Sequence, residues 1–92
     1  FPYAQYQLSG LYYYGGKTIQ KDVNKGIEWL TLASDQGLPI AQYDLSKIYY
    51  HGESGVVASD YNKAKDLCRK AAEQGLPEAK WALENKFNSK NN

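Results

Sequence analysis

A chain of 92 residues is short enough for one domain, and its 42% apolar content is compatible with a packed core. Eleven Lys and Arg oppose ten Asp and Glu, so at a net charge of +1 it lacks the basic excess that nucleic acid or an anionic membrane surface selects. No apolar run approaches the ~20 residues of a membrane span, and the single cysteine, Cys68, leaves no partner for an internal disulfide.

A first helix is expected from Pro2, since proline suits the first helical turn. Its apolar positions Ala4, Leu8, Leu11 and Tyr12 share one face, and Gly15 stops it. After the loop KTIQ, Asp22 is placed to cap a second helix, whose face is Gly26, Trp29, Leu30 and Ala33. Gly37 ends that helix, and Leu38 follows where a Schellman-type cap puts its apolar contact. Pro39 begins a third helix with Ala41, Leu45, Ile48 and Tyr49 on its face and Gly52 as its stop. The loop ESGVVAS leads to a second cap residue, Asp60, and to a fourth helix with Ala64, Leu67, Cys68 and Ala71 on one side. Gly75, Leu76 and Pro77 repeat the hinge, and a fifth helix opens with PEAKWAL. It carries Lys86 where the earlier copies have Leu11 and Ile48, and it runs into FNSKNN, so it reads as a polar cap.

The order is that of a repeat. Pro2–Gly15 and Pro39–Gly52 agree at nine of fourteen positions, namely Pro, Ala, Gln, Tyr, Leu, Ser, Tyr, Tyr and Gly. Asp22–Gly37 and Asp60–Gly75 share Asp, Asn, Lys, Ala, Gln and Gly, six of sixteen. The offset rises from 37 to 38, so one residue is added in between. Self-similarity at this period marks stacked helical hairpins, each completing the next one's interior. Small residues at 26, 33, 64, 71 and 72 let neighbouring helices approach closely. The expected fold is all-α, a right-handed superhelix of antiparallel helix pairs with units 1–37, 38–75 and a partial 76–92. The start at Phe1, with no cap to match the polar end, reads as part of a longer chain with further repeats upstream.

The pattern A-x-Y-x-L-x-x-x-Y-Y-x-G, then D-x-x-K-[AG], then A-x-x-Q-G, resembles the Sel-one-like repeat (SLR), a relative of the tetratricopeptide repeat. It stands here as Ala4, Tyr6, Leu8, Tyr12, Gly15, Asp22, Lys25, Gly26, Ala33 and Gly37, and again as Ala41, Tyr43, Leu45, Tyr49, Gly52, Asp60, Lys63, Ala64, Ala71 and Gly75. The chain departs from the family's Leu-Gly at Leu8-Ser9 and Leu45-Ser46, and from its usual Ala at Gly26. The resemblance implies a scaffold that binds other proteins or peptides, in bacterial envelope, secretion or virulence settings and in eukaryotic quality-control complexes. It implies no catalytic residues.

At ~100° per residue, Tyr6, Gly10 and Tyr13 point away from the first helix's core face, with Tyr3 nearby. Tyr43, Lys47 and Tyr50 repeat the row, and Trp81 continues it. First helices line the concave side of related solenoids. The expected binding face is therefore Tyr3, Tyr6, Tyr13, Tyr43, Lys47, Tyr50 and Trp81, an aromatic ladder suited to a peptide or a partner's helix. Tyr6 and Tyr43 also belong to the repeat pattern and carry a packing reading beside the binding one. Truncating Tyr13 or Tyr50 is expected to cut binding with little loss of stability.

Other chemistry finds little support. His51 has no second histidine and only Cys68, on a different helix, as a further ligand, so no metal site is expected. Cys68 falls on an apolar position and reads as a small buried hydrophobe. Glu28, Asp35, Asp66 and Glu73 lie among Lys and Arg and read as solvated ion pairs. Gly15-Gly16 precedes no phosphate-binding pattern. No enzyme and no cofactor is expected. The expected function is a protein-interaction module. An immunity- or inhibitor-type binder of one cognate protein, or a structural spacer, remains open beside it. Single-strand nucleic-acid reading is disfavoured by the charge balance.

Overall fold

The computed structural model describes residues 1–87. It contains α1 (Pro2–Tyr14), α2 (Val23–Asp35), α3 (Pro39–His51), α4 (Tyr61–Glu73), α5 (Pro77–Ala82) and a π-helical turn, Leu83–Phe87. Among the described residues there is no strand, only an isolated bridge between Glu53 and Val57 in the loop before α4.

The boundaries follow from local chemistry. Asp22 and Asp60 adopt extended backbone, and their carboxylates accept from the Lys25 and Lys63 N–H groups at 3.1 Å. At the other end, Leu38 N–H donates to Ala33 O and Leu76 N–H to Ala71 O, both at 3.2 Å. Gly37 N–H and Gly75 N–H donate to Ser34 O and Ala72 O at 2.9 Å. These are the two bonds of the Schellman motif. They need the left-handed backbone that Gly37 (φ 92°) and Gly75 (φ 97°) supply.

Two further devices recur in both units and set the pairing direction. Asp22 N–H donates to Tyr12 O and Asp60 N–H to Tyr49 O, each at 2.7 Å. These tie the start of each second helix to the end of the first. At the opposite end, Gln36 Nε2 donates to Gln5 Oε1, and Gln74 Nε2 to Gln42 Oε1 at 2.9 Å. Each pair is therefore antiparallel. Lys25 lies 5.0 Å from the Tyr12 ring and Lys63 4.5 Å from the Tyr49 ring, a cation over a π face in both copies. Most of the residues that the two copies share thus have a structural task.

Each hydrophobic cluster spans a unit boundary. One joins Ile27, Leu30 and Ala33 of α2 to Ala41 and Leu45 of α3 and Leu67 of α4. The other joins Ala64, Cys68, Ala71 and Ala72 of α4 to Ala79 and Ala82 of α5 and to Phe87. The result is a stack 47 × 28 × 19 Å, a solenoid of helix pairs. Cys68 is buried as expected, its thiol donating to Ala79 O at 3.3 Å, and burial pushes its pKa up. Ser46 Oγ donates to Ala64 O at 2.8 Å across the α3–α4 contact.

Two expectations are corrected. The face Ala4, Leu8, Leu11, Tyr12 of α1 is not core like its copy in α3. Ala4 and Leu11 are exposed, while Ala41 and Leu45 are buried, because α2 covers α3 and no described helix precedes α1. The end of the chain is not a polar cap at Phe87, which is only 2% exposed. The π-helical turn widens the last turn and shifts the phase of the residues it carries, turning the Phe87 ring into the α4–α5 cluster. The rest of FNSKNN, residues 88–92, lies outside the described residues.

Candidate functional site

Because α2 packs against both α1 and α3, those two first helices flank it and leave a groove between them. The groove encloses about 510 Å³, within the roughly 300–1,000 Å³ usual for binding sites. Its α1 wall is Tyr6, Gln7, Gly10, Tyr13 and Tyr14, at helical steps of three and four. Its α3 wall is Asp44, Lys47, Ile48 and His51, at the same steps. Gly26 and Leu30 of α2 form the floor, Ser9 lies beside them, and Gly52 and Glu53 close one end.

Two hydrogen bonds tie the walls together. Tyr6 OH donates to Asp44 Oδ2 at 2.7 Å, and Tyr13 OH donates to Glu53 Oε1 at 2.5 Å. Lys47 Nζ sits 3.4 Å from Asp44 Oδ1 and 5.0 Å from the Tyr43 ring. The bond to Glu53, followed by burial, pushes the Tyr13 phenol up to about 12. Burial, followed by the bond to Asp44, raises the Tyr6 phenol as well.

A phenol raised in the folded state favours folding while it is protonated. The contribution is complete below the unfolded value of 10.0 and is lost as pH rises toward about 12. Urea midpoints should therefore fall between pH 10 and pH 12, and the fall should be smaller in a Tyr6→Phe/Tyr13→Phe variant. An equal fall in that variant would remove the two tyrosines from the alkaline transition.

The ladder expected from the sequence does not form a single row. Tyr6, Tyr13 and Lys47 line the groove together. Tyr3 is 59% exposed and stands beside it, its ring 6.2 Å from that of Tyr6. Tyr43 and Tyr50 are half-buried at the next junction and pack on the α4–α5 cluster. The Tyr50 ring meets Phe87 edge-on at 5.4 Å and lies 6.3 Å from Tyr61. Phe87 fills that junction, so the space lined by Tyr43, Ser46 and Tyr50 shrinks to about 10 Å³. Trp81 is 58% exposed on α5. Tyr13 and Tyr50 are thus not free surface tyrosines, and their truncation removes packing as well as contact area.

Gln7, Tyr14, Asp44, His51 and Glu53 line the groove in addition to the residues of the expected row. A signal for them was present in the repeat itself. Gln7 aligns with Asp44, Gly10 with Lys47, and Tyr14 with His51, all positions where the copies disagree. Shared residues build the stack, and differing residues make the groove walls unlike. Among the described residues no group of His, Cys, Asp and Glu could hold a metal ion, and no helix is long and apolar enough to cross a membrane.

The Sel1 repeat pattern matches residues 2–38 and 39–76. A solved Sel1 repeat protein from Oxalobacter formigenes superposes with a TM-score of 0.83 at 36% identity, over 92% of this chain and 62% of that one. A protective antigen present in uropathogenic Escherichia coli strains, displaying an SLR fold, superposes with a TM-score of 0.88 at 32% identity, over 98% of this chain and 19% of that one. This chain therefore spans less than two thirds of either structure. No curated protein matches it. With two consecutive repeats matched and the helix pairs stacked as in solved relatives, the chain belongs to the Sel1 repeat family.

Proposed function

We propose that the chain is a protein-interaction module whose binding surface is the groove between α1 and α3, and that an extended peptide segment of a partner occupies it. Sel1 repeats are in general protein-interaction modules and typically non-enzymatic scaffolds, which supports the class. The choice of face rests on one observation. The pairs Gln7/Asp44, Gly10/Lys47 and Tyr14/His51, where the two units differ, all face an open groove of about 510 Å³. Tyrosine rings there offer wide, rigid contact area at low entropic cost.

Gly10 gives a clean test. A Cβ built on it meets nothing within 4 Å, so a large side chain at this position extends into the groove without displacing either helix. A library of random peptides displayed on phage, selected against the wild-type chain, should yield binders that lose at least about tenfold in affinity on Gly10→Trp. The variant should melt no lower than wild type, since glycine in a helix interior costs ~1 kcal/mol. Binders indifferent to Gly10→Trp would place recognition elsewhere. A library that yields none would leave the chain as a spacer.

A further inference from the structure

The groove's hydrogen-bonding inventory specifies what kind of side chain it accepts. The hydroxyl protons of Tyr6 and Tyr13 are already committed to Asp44 and Glu53. What the two tyrosines still present is phenolic oxygen and ring face, both of which attract positive charge. The carboxylates of Asp44 and Glu53 add acceptors. The cation on the walls, Lys47, is turned to Asp44 and to Tyr43. Among the groove's Asp, Glu, Lys and Arg side chains, two carboxylates stand against one ammonium.

The rest of the molecule shows how its tyrosines behave when a cation is in reach. Tyr12, Tyr43, Tyr49 and Tyr50 each hold a lysine ammonium 4.5 to 5.7 Å from the ring centre. Among the described residues no ammonium lies over Tyr6, Tyr13 or Tyr14, the three rings of the groove. A cleft that combines two carboxylates with three tyrosine rings suits a planar donor group. Guanidinium has five N–H donors, stacks on aromatic faces and pairs with carboxylates more specifically than an ammonium does.

We propose that the groove recognises an arginine side chain presented by the partner segment, its guanidinium held by Asp44 and Glu53 and stacked against the groove tyrosines. This rests on the groove being the interaction surface.

The test is an NMR titration of the amide-labelled chain with three short probes, acetyl-Gly-Arg-Gly-amide and its citrulline and glutamate counterparts. Citrulline keeps the shape of arginine and removes the charge. The arginine probe should shift the amides of Tyr6, Tyr13 and Glu53 most. Its affinity should drop by about tenfold in an Asp44→Asn/Glu53→Gln variant. That variant keeps a side-chain oxygen to accept from each tyrosine, so the fold and the wall bonds are preserved. Groove shifts as large with citrulline or glutamate would overturn the preference for arginine while leaving the groove as the binding face. Arginine-induced shifts confined to other surfaces, or no shifts with any probe, would overturn the arginine site. Whether the groove binds peptides at all is decided separately by the Gly10→Trp selection.

Discussion

Replacing Phe87 with alanine should lower the unfolding free energy by about 3–5 kcal/mol, the range for truncating a buried aromatic ring. Phe87 is 2% exposed and sits where α4, α5 and the end of α3 converge. Its ring meets Tyr50 edge-on at 5.4 Å and 82°, and Tyr61 at 5.3 Å. Such pairs add ~0.5–1.5 kcal/mol to the area they bury. The backbone is engaged too, since Tyr61 OH donates to Phe87 O at 2.8 Å. A loss of this size is a large share of the 5–15 kcal/mol typical of a whole domain. Because each unit of a solenoid leans on its neighbour, the damage should start at the α4–α5 end. Urea unfolding followed by fluorescence and amide exchange in α5 measures both effects. Trp81→Ala, at a ring 58% exposed on the same helix, is the control and should cost far less. Equal losses from the two changes would mean that Phe87 is not the closing element of the stack.

Gly26→Ala should destabilise the chain, although it replaces the poorest ordinary helix former with the best. Helix propensity alone would make it a gain of ~1 kcal/mol. Packing opposes that gain. A Cβ at position 26 would stand 2.8 Å from Tyr13 N and 2.9 Å from Tyr13 Cα. These are backbone atoms of α1, so a helix rather than a side chain has to move. Overpacking of this kind costs about 1–3 kcal/mol, and the net expectation is a loss of up to about 2 kcal/mol. The second unit has Ala64 at this position, fully buried and accommodated, so the close approach to the neighbouring backbone is particular to Gly26. A urea midpoint that rises in Gly26→Ala would show that propensity outweighs the close approach. Gly26 also lies in the floor of the groove, so the same change should alter the position of Tyr13 and reduce peptide binding.

The hinges, caps and pairing of the helices were legible in the sequence, because each depends on chemistry within a few residues. Asp22 and Asp60 cap, Gly37-Leu38 and Gly75-Leu76 close Schellman motifs, and prolines restart the chain as expected. The face of α4 was legible for a related reason, since it is covered by elements within the described stack, whereas on α2 the buried side is Gly26, Ile27, Leu30 and Ala33, with Ile27 in the core in place of the expected Trp29, which is half-buried. Burial of α1 was not legible, because it depends on what lies next to the helix rather than on its own periodicity. Leu8 and Leu45 read alike, yet only Leu45 is buried. Phe87 escaped notice because a regular 3.6-residue phase does not describe a π-helical turn, and because the polar residues around it dominated the composition. The ladder divided for the same reason, since Phe87 fills one inter-unit space and leaves the other open. Tyr6 and Tyr13 line the groove, and their bonds to Asp44 and Glu53 cross about forty residues of sequence, where no local pattern reaches.

The division of labour between shared and differing positions is open to one direct measurement, the urea unfolding curve of a Gln7→Ala/Gly10→Ala/Lys47→Ala/His51→Ala variant. Gln7, Lys47 and His51 are exposed, a Cβ on Gly10 would meet nothing within 4 Å, and Lys47 holds an exposed ion pair to Asp44 and a cation–π contact to Tyr43, both of small worth at the surface. The expected curve has the wild-type slope and a stability within about 1 kcal/mol of wild type. A loss of more than about 3 kcal/mol would show that the groove walls hold the stack together, and that they are not a surface kept free for a partner.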